Sequence, residues 1–450
     1  MIFPRLWQVK GIEMSPQICK MKINLISLGC SKNLVDSEVI LGSLGEKGCS
    51  FTTSLEDADI IIVNTCSFIK EARRESHNVI SKIVSQKSPF QKLIVCGCLP
   101  QLERRKLFAR YPQIDALLGS ADFYKIDEII GKILSGEKHL FSVNTPYFIY
   151  NSNFPRLLST PPSYAYLKIA EGCSNRCSYC LIPYLRGDYR SRPIDDVVKE
   201  ARALANLGVK ELILIAQDIT FYGKDLEGKY LLPSLLEKLE EIDKIKWIRL
   251  LYTHPAHFNS TLIQAMVNLD KVCRYLDIPL QHSHNEILTR MRRPKFEVAE
   301  RVIEKLREKI PNIALRTTLM VGFPGEEERH FNKLLKDVER IKFDWLGAFI
   351  YSPEKGTPAY SFSPKIPLKV KKRRYKELLE LQQSVTFEKN KRRLGKVYPI
   401  LVDADKEGHT EFQAPEIDGK VLLSEKHLPG ELIRKKIVKI RDCYDLVARG

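Results

Sequence analysis

The sequence has neither a long apolar run nor an export signal. No stretch approaches the roughly 18 consecutive apolar residues that a membrane helix needs, so we expect no membrane partner. The first twenty residues lack the continuous apolar core and small-residue cleavage site of a secretory signal peptide. Residues 1–20 are therefore predicted to be a disordered leader, with folded sequence beginning near Met21. Internal repeats and low-complexity tracts are also lacking, which excludes a solenoid or a fibrous protein.

Cysteine, by contrast, is plentiful for a chain without an export signal. The 450 residues include 11 cysteines, and such a chain is expected in a reducing, cytoplasmic compartment. Clustered thiols in that compartment usually bind metal or take part in catalysis rather than form disulfides. The net charge of +17 is a general indication of an RNA or ribosome partner, although many soluble proteins share it.

The first segment, residues 21–140, predicts an α/β domain with a parallel sheet. Short apolar runs rich in β-branched residues alternate with helical stretches, as in buried βαβ units. The three runs are "INLISL" at 23–28, "DIIIVN" at 59–64 and "KLIVCG" at 92–97.

A cysteine follows each of these three strands. Cys30 and Cys66 come directly after the first two runs, while the third contains Cys96 and ends at Cys98. The carboxyl ends of parallel strands meet at one edge of the sheet, where such folds bind ligands. A single cysteine is equally well explained as a small core residue. Three repeats of strand, turn and cysteine favour a shared site instead.

A second βα series follows a linker. Residues 141–160 are rich in Pro, Ser and Asn without periodicity, which predicts the linker. Residues 161–385 then alternate strands with amphipathic helices, and six strands are fewer than the eight that close a full βα barrel. We therefore predict a partial (β/α)6 TIM-like barrel. Its expected strands are 164–170, 211–216, 246–251, 274–279, 312–321 and 345–350.

The C-terminal segment, residues 386–450, is predicted to be a small all-β domain. A long basic helix at 367–395 leads into it, and the simplest interpretation of that helix is a solvated connector. From residue 396 onward the strands are short and punctuated by Gly and Pro, as in a small β-barrel. We expect this barrel to be separable from the preceding domains.

Three further cysteines lie within eight residues, directly after the first strand of the second series. Cys173, Cys177 and Cys180 stand in "GCSNRCSYC". A structural zinc ion normally takes four protein ligands, and the nearest histidines in sequence, His139 and His254, are distant. A four-iron cube held by three thiolates keeps one iron open for a small molecule. The spacing favours such a cluster.

Cys-x3-Cys-x2-Cys on the first loop of a partial βα barrel resembles the motif of the radical S-adenosylmethionine enzymes. The resemblance implies a 4Fe-4S cluster on these three cysteines, with S-adenosylmethionine bound to the open iron. It also implies reductive cleavage of that cofactor to a 5'-deoxyadenosyl radical, while the protein supplies positioning and a dry cavity. An aromatic residue before the last cysteine, here Tyr179, is typical of the motif.

The N-terminal cysteines narrow the resemblance to the methylthiotransferase family. "SLGCSKNLVDSE", "VNTCSFIKEARRES" and "VCGCLPQ" are similar to the segments that bind a second 4Fe-4S cluster in that family. The resemblance runs from Met21 to the end and implies an N-terminal Fe-S domain, a radical S-adenosylmethionine core and a C-terminal TRAM domain. It assigns the second cluster to Cys30, Cys66 and Cys98. Cys96 competes for the third position, but Cys98 matches the family's "GC" at that strand end.

Further candidates for the cofactor pocket follow later strands of the barrel. Gln217 and Asp218 come after the second strand, Gln281 after the fourth and Gly322 after the fifth. For each of these, local loop structure or helix capping is an equal alternative. Four cysteines have no partner at suggestive spacing and are expected to be structural or surface thiols: Cys19, Cys49, Cys273 and Cys443.

Two branches of the family differ in substrate. One methylthiolates an adenosine beside the tRNA anticodon; the other modifies the β-carbon of an aspartate in a small-subunit ribosomal protein. "GCSKNLVDSE" is close to the second branch's "GCPKNLVDSE", with Ser31 in place of proline, and "APEIDG" at 414–419 is also typical of it. We therefore expect a ribosomal protein or particle as substrate, an electron donor as partner, and tRNA as the alternative.

Charge favours the same substrate. Residues 396–450 contain ten basic and ten acidic residues, and a neutral domain suits a basic ribosomal protein better than RNA phosphates. Two interpretations outside this class are an Fe-S electron carrier and an RNA-binding scaffold with structural zinc. An electron carrier has no need of the long βα barrel, and the zinc scaffold would contain zinc without sulfide.

Overall fold

The computed structural model describes residues 20–450. The predicted leader, apart from residue 20, and Cys19 lie outside the described residues. The chain divides into two compact units. Of the described residues, the first unit contains 20–159, Ala170–Asn175 and Cys180–Arg192, and the second contains the remainder.

The first unit contains a six-stranded parallel sheet in the order β2-β1-β3-β4-β5-β6. Its strands are β1 Lys22–Ser27, β2 Ser50–Phe51, β3 Ile60–Thr65, β4 Lys92–Gly97, β5 Ala116–Leu118 and β6 Leu140–Ser142. Its first five helices are α1 Ser31–Glu46, α2 Lys70–Gln86, α3 Cys98–Glu103, α4 Lys106–Arg110 and α5 Ile126–Leu134. All three predicted strands are therefore present.

Burial on both faces explains the continuous apolar runs in this sheet. All six residues of β3 are buried, as are five of the six in β4. Ile61, Val63, Leu93 and Val95 pack in one core cluster with Ile80 of α2. A strand covered by helices on both faces shows no polar alternation, which is why these strands could be predicted from composition.

The second series begins with β7, Tyr164–Lys168, and then returns briefly to the first unit. There, β8 Ala170–Glu171 pairs antiparallel with β9 Arg190–Ser191, and the short helix α6, Ile182–Arg186, lies between them. Leu181 and Leu185 pack against Cys98 of α3. The segment that carries the second cysteine triplet thus contributes directly to the packing of the first unit.

The second unit has the six parallel strands expected of a partial barrel. They form two three-stranded sheets in the orders β11-β10-β7 and β12-β13-β14. The further strands are β10 Glu211–Ile215, β11 Trp247–Leu250, β12 Tyr275–Asp277, β13 Ala314–Val321 and β14 Trp345–Ile350. The helices between them are α7 Ile194–Asn206, α8 Lys224–Glu227, α9 Leu232–Glu240, α10 Ser260–Asn268, α11 Asn285–Arg290, α12 Phe296–Lys309 and α13 Glu328–Ile341.

The chain ends in a closed five-stranded barrel reached through a long helix, α14 Leu368–Lys391. The strands close in the order β15-β16-β17-β19-β18. Their bounds are β15 Val397–Ala404, β16 Glu407–His409, β17 Val421–Leu423, β18 Leu432–Arg441 and β19 Asp445–Arg449. The predicted fold class, a parallel α/β domain, a partial βα barrel and a small β domain, is confirmed.

Helix α14 is more than a solvated connector. Gln382 donates to Phe343 O at 2.9 Å and Thr386 donates to Asp344 O at 2.9 Å, while Lys389 pairs with Asp344 at 2.6 Å. One side of the helix is therefore fixed to the βα barrel by polar contacts. The expected domain boundary between residues 385 and 386 lies inside this helix.

The segment 409–419 of the small barrel is bound to the βα barrel rather than separable from it. Trp345 Nε1 donates to Phe412 O at 2.6 Å, and Tyr275 Oη donates to Asp418 at 2.7 Å. Buried Arg249 donates to Glu411 O at 2.7 Å. Removal of the small barrel would break these three hydrogen bonds and expose the side chains that donate them to water. The expectation of a separable domain does not fit these contacts.

Candidate functional site

The first cysteine triad lies at the carboxyl ends of three neighbouring strands. Cys30 is the N-cap residue of α1 after β1, Cys66 directly follows β3, and Cys98 is the first residue of α3 after β4. Strand order places β1, β3 and β4 side by side. Three strand-turn-helix connections therefore deliver one thiol each to the same edge of the sheet, as predicted from the sequence.

A glycine in a left-handed conformation precedes two of these cysteines. Gly29 has φ +95°, and a Cβ there would lie 2.5 Å from Cys66 Cβ and 2.9 Å from Cys66 Sγ. Gly97 has φ +94°, and a Cβ there would lie 2.4 Å from Asn64 Oδ1. Only glycine adopts this backbone without strain and leaves room for the neighbouring strand end. The turn at Gly29, one residue before Cys30, therefore packs directly against Cys66.

The three thiols are close enough to influence each other's ionisation. Burial, followed by the charges of Cys98 and Cys30, raises the pKa of the Cys66 thiol to about 12. Protein atoms around Cys30 raise the pKa of its thiol, but Lys32 and Arg186 outweigh this and hold that pKa below its usual value. Such mutual repulsion is relieved when a cation binds all three sulfurs, so this donor set fits an iron cluster.

Cys96, the competitor for the third position, lies inside β4. Its side chain is fully buried, and burial followed by the charge of Asp36 raises its pKa. Cys98 lies beyond the strand end, and its charge acts on Cys66. These surroundings support Cys98 as the third member of the triad.

A buried arginine that the sequence analysis missed stands beside this triad. Arg186 Nη1 donates to Asp36 at 2.7 Å and to Glu171 at 3.1 Å, and its Nη2 donates to Asn33. Burial raises the pKa of the Cys98 thiol, and the positive charge of Arg186 opposes the rise. The only sequence signal for Arg186 is its place in "LIPYLRG", directly after the second triplet, where it is the last residue of a short helix.

The second triplet occupies one loop. Cys173 and Cys180 are assigned to the first unit and Cys177 to the second. In the first unit, Cys173 N donates to Gly187 O at 3.1 Å, and Ile182 N donates to Cys180 Sγ at 3.5 Å. Cys177 belongs to the second unit, where its charge helps to raise the pKa of the partly exposed Arg293 against the effect of burial. All three thiols are partly exposed. Partial exposure suits thiols whose cluster must remain accessible to a small molecule.

Asp218 and Tyr179, two candidates for the cofactor pocket, have structural contacts of their own. Asp218 caps a short 3-10 helix by accepting from Thr220 N at 3.0 Å, and it pairs with His257 Nδ1 at 2.8 Å. Burial raises its pKa, but these hydrogen bonds outweigh burial and lower it. The ring of Tyr179 packs edge-on against Phe323 at 6.4 Å. Gln217 directly precedes Asp218 after β10.

Gln281 and Gly322 also have defined backbone roles. Gln281 has φ +71° and bridges to β13, donating to Thr318 O at 2.8 Å. Gly322 has φ +74°, and a Cβ there would lie 2.3 Å from the Lys371 side chain of α14. The absence of a side chain at Gly322 therefore leaves room for Lys371. A role for Gln281 or Gly322 in cofactor binding stays a prediction. Of the other described cysteines, Cys49 and Cys273 are buried and Cys443 is partly exposed.

Comparison with known protein families divides the chain into three matching regions. Residues 22–119 match the family described as Uncharacterized protein family UPF0004, residues 167–338 the Radical SAM superfamily and residues 394–450 the TRAM domain.

Full-length relatives decide the family. The chain is 44% identical over 438 residues to the ribosomal protein uS12 methylthiotransferase RimO of Caldicellulosiruptor saccharolyticus, covering 95% of this chain and 99% of that protein. It is 46% identical over 439 residues to the RimO protein of Citrifermentans bemidjiense, covering 95% and 98%. The chain belongs to the RimO family. The family predicted from the cysteine motifs is confirmed.

Solved structures agree with this fold for a RimO family member. The radical S-adenosylmethionine methyltransferase TsrM from Kitasatospora setae superposes with a TM-score of 0.55 at 14% identity, covering 76% of this chain and 77% of that one. The cobalamin-dependent radical enzyme OxsB gives 0.52 at 14% identity, covering 82% and 58%. At such low identity the likeness concerns the fold alone. Among residues 20–450, no helix is long and apolar enough to cross a membrane.

Proposed function

We propose that this protein is a radical S-adenosylmethionine methylthiotransferase acting on the β-carbon of an aspartate in ribosomal protein uS12. The observation that supports it most is the presence of two cysteine triads on one chain of the RimO family. One triad follows three neighbouring parallel strands, and the other occupies a single loop after the first barrel strand. A one-cluster enzyme has no use for the first triad.

Each triad holds one 4Fe-4S cluster through three thiolates. Cys30, Cys66 and Cys98 hold the first; Cys173, Cys177 and Cys180 hold the second, which also binds S-adenosylmethionine. When bound, these groups supply the one-electron cleavage of S-adenosylmethionine and the sulfur atom to be transferred.

This chain's own residues position and shield the clusters. Arg186 acts electrostatically on the thiol of Cys98, and Arg293 on that of Cys177. Positive charge near the ligand sulfurs is one means by which a protein sets the properties of such a site. An electron donor is required as a partner, and we infer a cytoplasmic location, which a ribosomal substrate and the many cysteines of the chain support.

The roles of the two triads are separable by substitution. Anaerobic reconstitution should load about eight irons per chain, as expected for two four-iron cubes. Replacing Cys173, Cys177 and Cys180 with Ala should halve the iron and abolish formation of 5'-deoxyadenosine. Replacing Cys30, Cys66 and Cys98 should also halve the iron but leave 5'-deoxyadenosine formation intact while stopping methylthio transfer.

Two single variants control for the loss of a buried thiol. Cys49→Ala removes a buried cysteine of the first unit outside both triads and should retain all iron. Cys96→Ala should also retain all iron. If Cys96→Ala loses half the iron and Cys98→Ala does not, then Cys96 and not Cys98 is the third ligand. Full iron retention in either triad variant, or zinc without sulfide, would contradict the proposed function.

A further inference from the structure

Four exposed cations lie close together after helix α3 of the first unit. Arg104 and Arg105 follow the end of α3, and Lys106 and Arg110 are the first and last residues of α4. All four residues are exposed, and no carboxylate lies between them in sequence. Within the part of the chain that the structure describes, none of the four forms an ion pair. Their charge is therefore not neutralised by the protein itself.

This arrangement differs from that of α5, another exposed helix of the same unit. There, Lys132 pairs with Glu128 at 2.6 Å, four residues away. Opposite charges at this spacing stabilise a helix, and like charges destabilise it. Lys106 and Arg110 are also four residues apart, in α4, and they carry like charges. Repulsion of this kind is unfavourable for a helix face that meets only water, so it indicates a negatively charged partner.

Aromatic rings hold the guanidinium groups of this cluster in place. The guanidinium carbons of Arg105 and Arg104 lie 4.4 and 5.5 Å from the centre of the Phe141 ring. That of Arg110 lies 5.4 Å from the centre of the Tyr111 ring. Stacking on a ring fixes the plane of a guanidinium and leaves its N–H edges open to an acceptor. The cluster is thus arranged in advance for binding anions.

Helix α3 connects these cations to the first cysteine triad. It begins at Cys98, and its six residues span about 9 Å at about 1.5 Å per residue. Arg104, the next residue, has φ +53°, which non-glycine residues rarely adopt, and its Nη2 donates to Val143 O at 3.3 Å. A partner bound to the cations would therefore lie close to the first triad.

Phosphate is the anion that fits these residues best. Three of the four are arginines, whose planar fork gives two parallel hydrogen bonds to phosphate oxygens. A protein partner usually requires an apolar centre in its interface, and no large apolar residue between Arg104 and Arg110 is exposed. A nucleic acid requires no such centre, because the release of counterions from its phosphates supplies the affinity.

We propose that Arg104, Arg105, Lys106 and Arg110 form an RNA-binding surface that docks this enzyme on the small ribosomal subunit. The inference rests on the proposed function, because uS12 is what brings ribosomal RNA to the enzyme. The four cations bind backbone phosphates, which carry no sequence information. The surface therefore recognises ribosomal RNA by its charge and not by its bases.

Two full-length variants of equal net charge test this surface. The first combines Arg104→Gln, Arg105→Gln, Lys106→Gln and Arg110→Gln. The second removes four exposed lysines that are far apart in sequence: Lys22→Gln, Lys82→Gln, Lys229→Gln and Lys309→Gln. Both variants should load about eight irons, which shows that they fold. A third variant, with Arg104→Lys, Arg105→Lys and Arg110→Lys, keeps the charge of the surface.

The readout is binding to purified small ribosomal subunits between about 50 and 200 mM salt. The logarithm of the affinity falls with the logarithm of the salt concentration, with a slope of about 0.7–0.9 for each phosphate contact. Loss of four contacts should make the slope shallower by about three and weaken binding at least about tenfold at low salt. The variant without the four separated lysines should keep the wild-type slope, as should the Arg→Lys variant.

Each outcome decides the inference. Equal slopes for the two Gln variants would refute it. A wild-type slope for the first variant, together with a greater requirement for an acidic flavoprotein reductant, would assign the surface to a protein partner and also refute it. If the first variant does not fold, Lys106→Gln with Arg110→Gln replaces it and should give about half the change in slope. The proposed function is decided separately, since it fails if the wild-type enzyme transfers no methylthio group to uS12.

Discussion

Left-handed glycines fix where the cysteines of the first triad point. Gly29 and Gly97 each stand one residue before a triad cysteine, and each faces atoms of the neighbouring strand end at distances too short for a Cβ. In each "GC" pair the glycine is therefore required by the backbone conformation and by the lack of space for a side chain. A larger residue in place of Gly29 or Gly97 would be strained and would collide with the neighbouring strand end.

Gly29→Ala should remove the iron of the first cluster and spare the second. The new Cβ would collide with Cys66 Cβ and Sγ, and the positive φ adds roughly 1–2 kcal/mol of strain. Metal analysis after anaerobic reconstitution should show about half the iron, with 5'-deoxyadenosine formation unchanged.

Gly136→Ala is the matched control for this substitution. Gly136 has φ +99° in the same unit, but a Cβ there meets nothing within 4 Å. It carries the strain of the left-handed backbone without the collision. Equal iron content in the two variants would show that contact with Cys66 is unimportant.

Residues that belong to a local sequence motif could be predicted, and residues that come near the cysteines only through folding could not. Each of the six cysteines sits in a local motif that can be read without a structure. Arg186 and Arg293 approach Cys98 and Cys177 from outside those motifs, and nothing in their spacing marks them. Asp218 and Gly322 were predicted as cofactor residues, yet their visible contacts are a helix cap and the accommodation of Lys371.

At the scale of elements, His409 joins three strands of the second unit. Its Nε2 lies 2.6 Å from Glu211 of β10 and its Nδ1 lies 2.8 Å from Asp403 of β15, while His409 itself ends β16. Burial lowers the pKa of His409, but the two carboxylates outweigh burial and raise it to about 9. Glu211 is held ionised by Arg249 as well, so the imidazolium is the favoured partner at neutral pH.

This bridge should make the second unit less stable in mild alkali. A histidine whose pKa is raised in the folded state stabilises it fully below the unfolded pKa of about 6.5, and the contribution disappears as pH rises through about 9. The difference corresponds to about 3 kcal/mol. Chemical unfolding between pH 6 and 10 should show this loss in the wild-type protein but not in His409→Gln. If the free energy of unfolding falls with pH in the same way in both proteins, the His409 bridge is not the cause of the loss.

Elements were predictable where burial alone determines them. The three N-terminal strands and most of the barrel strands are short apolar runs with buried residues, and composition identifies such runs. In β14 only Trp345 is buried, although the run is apolar. The basic helix α14 and the segment 409–419 were misjudged because their polar residues pair with distant partners. Gln382 and Thr386 hydrogen-bond to the turn before β14, and Asp418 accepts from Tyr275. Charge patterns cannot distinguish such pairing from solvation.

At the scale of the whole molecule, formal charge does not describe the surface of the C-terminal domain. Asp403, Glu416 and Asp418 accept hydrogen bonds from Ser163, Tyr166 and Tyr275 of the second unit. Exposed basic side chains are concentrated on β18 instead: Arg434, Lys436, Lys439 and Arg441. The neutral sum of residues 396–450 therefore no longer argues for a protein substrate over RNA. The substrate assignment rests on the relationship to the RimO family.

The central claim is that the chain transfers a methylthio group to ribosomal protein uS12, and the most direct measurement is the intact mass of that protein. Reconstituted enzyme is incubated anaerobically with uS12, S-adenosylmethionine, a sulfur source and a reductant, with tRNA in a parallel reaction. We predict a gain of about 46 mass units on uS12, from replacement of H by SCH3 on the aspartate, and no modified nucleoside in the tRNA. The Cys30, Cys66 and Cys98 variant should give no gain. Modification of the tRNA adenosine with uS12 unchanged would contradict the account.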